Sequence, residues 1–187
     1  MQSSASIAGD APADFLRGAS IIREIKASRI EFVVSVPDIT TSEGLLQPLA
    51  QASTQASTQA STPRLVRVCK EDEGVGICAG LAFTGRRALL LIQQTGLLDS
   101  VNALRGVAVE YALPICMMVG LLEKEPGVPP MQSKRYGVRI VEPILDALGI
   151  AYHEIEGEAD VGKIAPAIDH AYAQSRPVVM LIGRRPS

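Results

Sequence analysis

Three short polar stretches interrupt an otherwise aliphatic chain, and each carries groups able to do chemistry. Glu71, Asp72 and Glu73 are followed at once by Gly74, Gly76, Cys78, Ala79, Gly80 and Ala82. Carboxylates at a helix start complement the positive end of its dipole, worth about 0.3–1 kcal/mol each, and that account suffices for Asp72 and Glu73. It does not explain the glycines. Each glycine inside a helix costs roughly 1 kcal/mol against alanine, so three of them from Gly74 to Gly80 imply that something approaches this backbone closely. Gln94-Thr95-Gly96 closes the apolar run Ala88 to Ile92 and offers an amide, a hydroxyl and a permissive backbone. Thr95 also suits the start of a following helix. Pro37-Asp38 ends a β-rich run and reads either as a turn or as a polar group presented to a ligand.

These stretches must be held at the ends of strands, and the hydrophobic pattern supplies the strands. Phe15, Ala19, Ile22 and Ile25 recur at helical spacing and predict a helix over Ala13 to Ser28. Glu31 to Val36 reads as a strand, Ser42 to Gln51 as a helix and Leu65 to Cys69 as a strand. Helix Glu71 to Thr84, strand Ala88 to Gln93, helix Leu97 to Tyr111 and strand Pro114 to Val119 follow. Gly120 to Arg135 is irregular, with three prolines and five charges, and has the length of a lid or binding loop. Helix Val138 to Leu148, strand Ile150 to Ile155, helix Asp160 to Ala173 and strand Pro177 to Ile182 complete the chain. Six strands separated by helices imply an α/β three-layer sandwich: a parallel sheet covered on both faces, with right-handed crossovers.

At 187 residues the chain suits one domain, Ala13 to Ser187, preceded by a loose polar tail over residues 1–12. Gln51 to Thr62 is QAST repeated three times, a low-complexity loop or frayed helix end. The formal charge of −2 lacks the basic footprint of a nucleic-acid or anionic-membrane binder. No apolar run approaches the roughly 20 residues that span a bilayer, and the N-terminus lacks the pattern of a signal peptide. Cys69, Cys78 and Cys116 form no C-x-x-C pair and sit among apolar neighbours, so each is expected to pack as a small hydrophobe. A cytoplasmic location follows as an expectation. His153 and His170 fall late in the chain and read as structural or exposed. Lys134 and Arg135 read as a solvated loop pair, or as partners for an anionic group of a substrate.

The runs KEDEGVGICAGLA and QQTGLLDSVNAL, SVPD at the end of the first strand and GLLEKEPG at Gly120 to Gly127 together resemble a family of thiamine-diphosphate enzymes. The match is to the pyrimidine-binding (alpha) subunit of two-subunit 2-oxoacid decarboxylases acting on sulfopyruvate or phosphonopyruvate. The resemblance implies the thiamine-diphosphate-binding fold of the pyrimidine domain. It places the glutamate that faces the cofactor pyrimidine at Glu71, the loop beside cofactor and substrate at Gln94, Thr95 and Gly96, and substrate contacts at Pro37, Asp38 and Asn102. The chemistry gives the reason: the aminopyrimidine becomes a base only after a carboxylic acid shares a proton with its ring nitrogen. Relatives usually carry a small polar residue after the aspartate, where this chain has Ile39. Some carry histidine near Ser133, and this chain does not.

In this family the diphosphate is held through Mg²⁺ by a Gly-Asp-Gly motif that this chain lacks; its Gly9-Asp10 lies in the tail. The resemblance therefore implies half of a site. A separate diphosphate-binding (beta) subunit would complete thiamine diphosphate and Mg²⁺ binding in a hetero-oligomer, and the chain would be inactive alone. Two other readings keep the same residues: a carboligating thiamine-diphosphate synthase subunit, and a non-catalytic binding or regulatory module.

Overall fold

The structure, a computed structural model, describes residues 15–55 and 62–187, with only the backbone of Gln55. The expected tail, the first two residues of the first expected helix and most of the last two QAST repeats lie outside the described residues. The strands are β1 (Phe32–Ser35), β2 (Arg64–Arg67), β3 (Ala88–Gln93), β4 (Cys116–Gly120), β5 (Ala151–Ile155) and β6 (Val178–Ile182). They form one parallel sheet in the order β2-β1-β3-β4-β6-β5. Between them run α1 (Gly18–Ala27), α2 (Gln47–Gln55), α3 (Glu71–Phe83), α4 (Gln94–Asp99), α5 (Val101–Ala103), α6 (Tyr136–Arg139), α7 (Val141–Leu148), α8 (Glu158–Val161) and α9 (Ile164–Gln174).

Alternation along each strand divides the core in two, because successive side chains leave a strand on opposite faces. Val33, Leu89, Leu91, Cys116, Met118 and Met180 meet α1, α2 and α9 on one face. Val34, Leu90, Ile92, Met117, Val119 and Leu181 meet α3, α4 and α7 on the other. This is the expected three-layer α/β sandwich. β3, β4 and β6 are buried almost throughout, as their unbroken apolar sequences require when both faces are covered.

The order of strands fixes where a ligand enters. The connection leaving β1 runs through α2 on one face, whereas the connections leaving β2 and β3, its two neighbours, run through α3 and α4 on the other. The chain parts at the carboxyl end of β1, which is where open α/β sheets form a crevice.

Several boundaries differ from the expected ones. The first helix begins at Gly18. The single helix expected over Leu97 to Tyr111 begins at Gln94 and breaks into α4, α5 and a π-helical stretch, Leu104–Val109. The break falls at Ser100, whose φ −90° and ψ 3° leave the helical region. A π-helical turn, Ser42–Leu46, precedes α2, and the helix expected over Asp160 to Ala173 is two, α8 and α9. Cys78 and Cys116 are buried, and burial pushes the Cys78 thiol up to about 12 and the Cys116 thiol higher still. Cys69 departs from expectation: it is exposed, because β2 ends before it and the chain turns outward into α3.

Candidate active site at the carboxyl edge of the sheet

Glu71 is the first residue of α3, directly after the chain leaves β2. Its acidic neighbours are spent locally. The Cys69 amide donates to the Glu73 carboxylate at 3.0 Å, and the Glu73 amide donates to Asp72 at 2.9 Å. Both therefore satisfy backbone donors at the helix start, in keeping with their reading as helix-end residues. Glu71 behaves differently. Among the described residues its carboxylate has no hydrogen-bond or ion-pair partner, and it is half-buried.

The Glu71 side chain reaches across to the start of α4, where its Cγ, Cδ and Oε1 are the three atoms nearest the position a Cβ at Gly96 would take. A side chain there would displace the carboxylate, so Gly96 is glycine because Glu71 occupies the space. Gly74 plays a second close-approach role: a Cβ on it would stand 2.6 Å from Leu90 Cδ1, so its absence lets α3 settle onto β3. Gly76 and Gly80 have open space where their Cβ atoms would be, and the packing of this chain gives no reason for them.

Gln94 is 5% exposed, and its side-chain oxygen accepts the Leu122 amide at 2.8 Å, tying the end of β3 to the loop beyond β4. Thr95 is exposed, and its hydroxyl accepts from the Gln93 side-chain amide at 2.9 Å. The cap position of α4 is Gln93, not Thr95. Asp38 is buried, with both carboxylate oxygens taken up by Thr41: Oδ1 accepts its amide at 2.8 Å and Oδ2 accepts its hydroxyl. Asp38 thus closes the turn that starts the π-helical segment. Gly120 lies against it, since a Cβ there would be 2.9 Å from Asp38 Oδ1 and 2.8 Å from Thr40 Cβ. Pro37 is exposed and Ile39 is 59% exposed at the same strand end. Asn102 sits on the exposed side of α5, where its side-chain oxygen accepts from Arg105 at 3.1 and 3.3 Å. The structure gathers Glu71, Gln94, Gly96 and Asp38 along one edge and holds Asn102 to Arg105 instead.

The loop after β4 is laced rather than loose. Glu125 accepts the Ser133 hydroxyl at 2.7 Å and the Lys134 amide at 3.0 Å, and these bonds, Ser133 first, hold its carboxyl below the usual carboxylate range. Arg135 pairs with Glu123 at 2.5 Å, while Lys134 is exposed. Lys124 is the fixed point: its side chain is 0% exposed, with Nζ 3.1 Å from Glu154 and 3.0 Å from Glu156 beyond β5. Arg184 and Arg185, directly beyond β6, join it around a cavity of about 320 Å³. Sequence reading passed over this arginine pair. The one available signal was position, two charged residues just past a buried strand and Gly183. No cluster of three or more metal-ligating side chains occurs among the described residues.

The candidate site is thus an open parallel α/β sheet with a glutamate at its carboxyl edge that is unpartnered among the described residues. No protein-family model matches the chain. Among curated proteins it is similar to the alpha subunit of sulfopyruvate decarboxylase from Methanocaldococcus jannaschii, 26% identical over 172 residues, or 89% of this chain and 93% of that one. The corresponding alpha subunit from Methanothermobacter thermautotrophicus is 33% identical over 95 residues, 51% of this chain and 52% of that one. Sulfopyruvate decarboxylase from Methanosarcina acetivorans is 30% identical over 122 residues, 63% of this chain and 30% of that longer protein. Over these spans the chain is similar to sulfopyruvate decarboxylase alpha subunits.

Proposed function

We propose that the chain is the pyrimidine-binding subunit of a two-subunit, thiamine-diphosphate-dependent decarboxylase of a small 2-oxoacid resembling sulfopyruvate. The observation that carries this reading is the Glu71 carboxylate: unpartnered among the described residues, set at a helix start on the carboxyl edge, and accommodated by a glycine 25 residues further on. A carboxyl group with no competing donor fits a ring nitrogen that needs a proton.

Bound thiamine diphosphate would supply the carbanion that adds to the ketone carbon and accepts the electrons released with CO₂. Glu71 would hold the proton shared with the pyrimidine nitrogen through a carboxylate oxygen. Gly96 would keep that oxygen in place by leaving it room, and Gln94 would fix the neighbouring loop through Leu122. Mg²⁺ and the diphosphate would be held by the partner subunit. The remaining exposure of Glu71 is consistent with a site closed from the other side.

The partner is supported by α3 itself. Val75, Cys78 and Ala79 face the core, yet Gly76, Gly80 and Phe83 are exposed on the outer side, Phe83 by 72%. A helix apolar on both sides is normally covered on both sides, and exposed glycines let another backbone come close. We place the hetero-oligomer in the cytoplasm, where Cys69, Cys78 and Cys116 would stay reduced.

The test is co-expression with the candidate diphosphate-binding subunit, followed by assay of sulfopyruvate with thiamine diphosphate and Mg²⁺. Cofactor-dependent CO₂ release with a free aldehyde product is expected. A longer hydroxyketone would instead identify a carboligase, and no thiamine-dependent CO₂ release with any partner would reject the catalytic reading.

A further inference from the structure

α9 and the edge strand β5 leave a groove between them. Lys163, Pro166, Ala167, His170, Ala171 and Gln174 recur at helical spacing along one face of α9, and Ala151 and His153 stand two residues apart on one face of β5. Burial falls off along that strand. Ile155 is packed in the core with Val161 of α8, His153 is half-buried and Ala151 is exposed, so among the described residues no helix covers the start of β5. The space that remains, about 550 Å³, is of the size that takes a small organic ligand.

The walls divide into an apolar floor and a basic rim. Ala151, Ala167, Ala171, Pro177 and Val178 make the floor, His153, Lys163, His170 and Arg176 stand around it, and no lining residue is a carboxylate. Lys163 is already engaged by Asp160 at 2.7 Å. Arg176 has no side-chain partner among the described residues. Its backbone is fixed nevertheless: Ser175 ends α9 in the left-handed conformation, φ 51°, and turns the chain back so that the Arg176 amide donates to the Ala171 carbonyl at 3.0 Å.

The geometry points to a binding site for an organic acid with one acidic head and an apolar body the size of an aromatic ring and a short chain, the head on Arg176 and His170 and the body along the alanine floor. A guanidinium presents two parallel donors that match the two oxygens of a carboxylate. The body leaves water as it lies on the floor. One head suffices, because Lys163 lies eight residues from Ala171, roughly 12 Å along the helix axis, and is held by Asp160. The carboxyl end of α9 carries the negative end of its dipole, so the head rests on side chains and not on the helix terminus. This groove shares no lining residue with the carboxyl-edge cavity and does not depend on the decarboxylase reading.

The test is heteronuclear NMR of the full chain titrated with 4-phenylbutanoate, with its uncharged counterpart 4-phenylbutan-1-ol, and with acetate, which lacks the body. 4-Phenylbutanoate is expected to bind with a Kd of about 1 mM, as about a dozen non-hydrogen atoms of ordinary ligand efficiency predict, and to shift the amides of Ala151, His170, Ala171 and Gln174. The alcohol and acetate should each bind at least about fivefold more weakly, and the acid should weaken with salt. Arg176→Gln is expected to weaken 4-phenylbutanoate about tenfold and leave the alcohol unchanged, as loss of one charge-assisted contact predicts. Ala151→Leu, which fills the open end of the floor, should weaken both. The two substitutions fall at exposed positions, and the dispersion of the amide spectrum reports that the fold is kept. No saturable shift with 4-phenylbutanoate, equal binding of acid and alcohol, acid binding unchanged by Arg176→Gln, or shifts centred on Glu71 instead, each overturns the proposal. Loss of acid binding once the chain is assembled with a diphosphate-binding subunit gives the groove to that subunit and overturns a small-molecule ligand.

Discussion

One cavity opens at the carboxyl edge of the sheet and another along α9 and the edge strand β5, and the larger of these two lies away from the candidate chemistry. Along α9 and the edge strand β5 a cavity of about 550 Å³ is lined by Ala151, Ala167, Ala171 and Pro177, with His153, His170, Lys163 and Arg176 around it. Burial, and then the nearby Lys163, push His153 below the usual imidazole value and favour its neutral form. The carboxyl-edge cavity, at about 320 Å³, is smaller. Yet the groups of the carboxyl edge are held between separate strand ends, by bonds from Gln94 to Leu122 and from Lys124 to Glu154 and Glu156, and by the close approach of Gly120 to Asp38. Lys163, beside the larger cavity, pairs instead with Asp160, three residues away in its own segment just before α9. Volume measures what fits, whereas preorganisation across strand ends measures what is held ready to act.

That contrast is open to direct attack, and the largest effect should come from Glu71. Glu71→Gln keeps the shape and removes the acid. In the two-subunit assembly proposed above it is expected to lower turnover by about 10²–10⁴-fold, the usual range for loss of a proton-transferring group, without changing the melting temperature. Unchanged turnover would break the distinction between the two cavities. Gly96→Ala comes next: its methyl group competes with the Glu71 carboxylate for the same space, and a displaced catalytic group costs about 100-fold. Steady-state kinetics with a thiamine diphosphate titration would show weakened cofactor binding if Glu71 is what moves. Beside the larger cavity Lys163→Gln should alter turnover by less than about twofold, since a surface pair such as Lys163–Asp160 contributes little. A larger loss there would mean that the bigger cavity takes part after all.

Residues whose meaning is local were legible before any fold was known. Asp72 and Glu73 belong to a helix start, and they serve backbone amides there. Asp38 was legible as a polar residue at a strand end, but not its commitment to Thr41, because that depends on the turn the backbone takes next. The break at Ser100 was hidden as well: Leu97 to Tyr111 contains no proline and keeps helical spacing, so nothing local announces three pieces. Cys69 looked apolar from its neighbours in sequence, yet exposure is decided by where β2 stops.

The sequence by itself determined the alternation of helices and strands, the burial of β3, β4 and β6, and the position of Glu71 just beyond a strand. Those follow from hydrophobic period and from residue types a few positions apart, which act within single elements. Only the tertiary structure decided that Glu71 meets Gly96, that Gln94 holds Leu122, and that Arg184 and Arg185 join Lys124 about one pocket. Each of these contacts crosses between strand ends, and the order β2-β1-β3-β4-β6-β5 chooses which ends are neighbours. That order emerges from packing two cores at once on opposite faces of the sheet, a long-range outcome that no short stretch of sequence encodes.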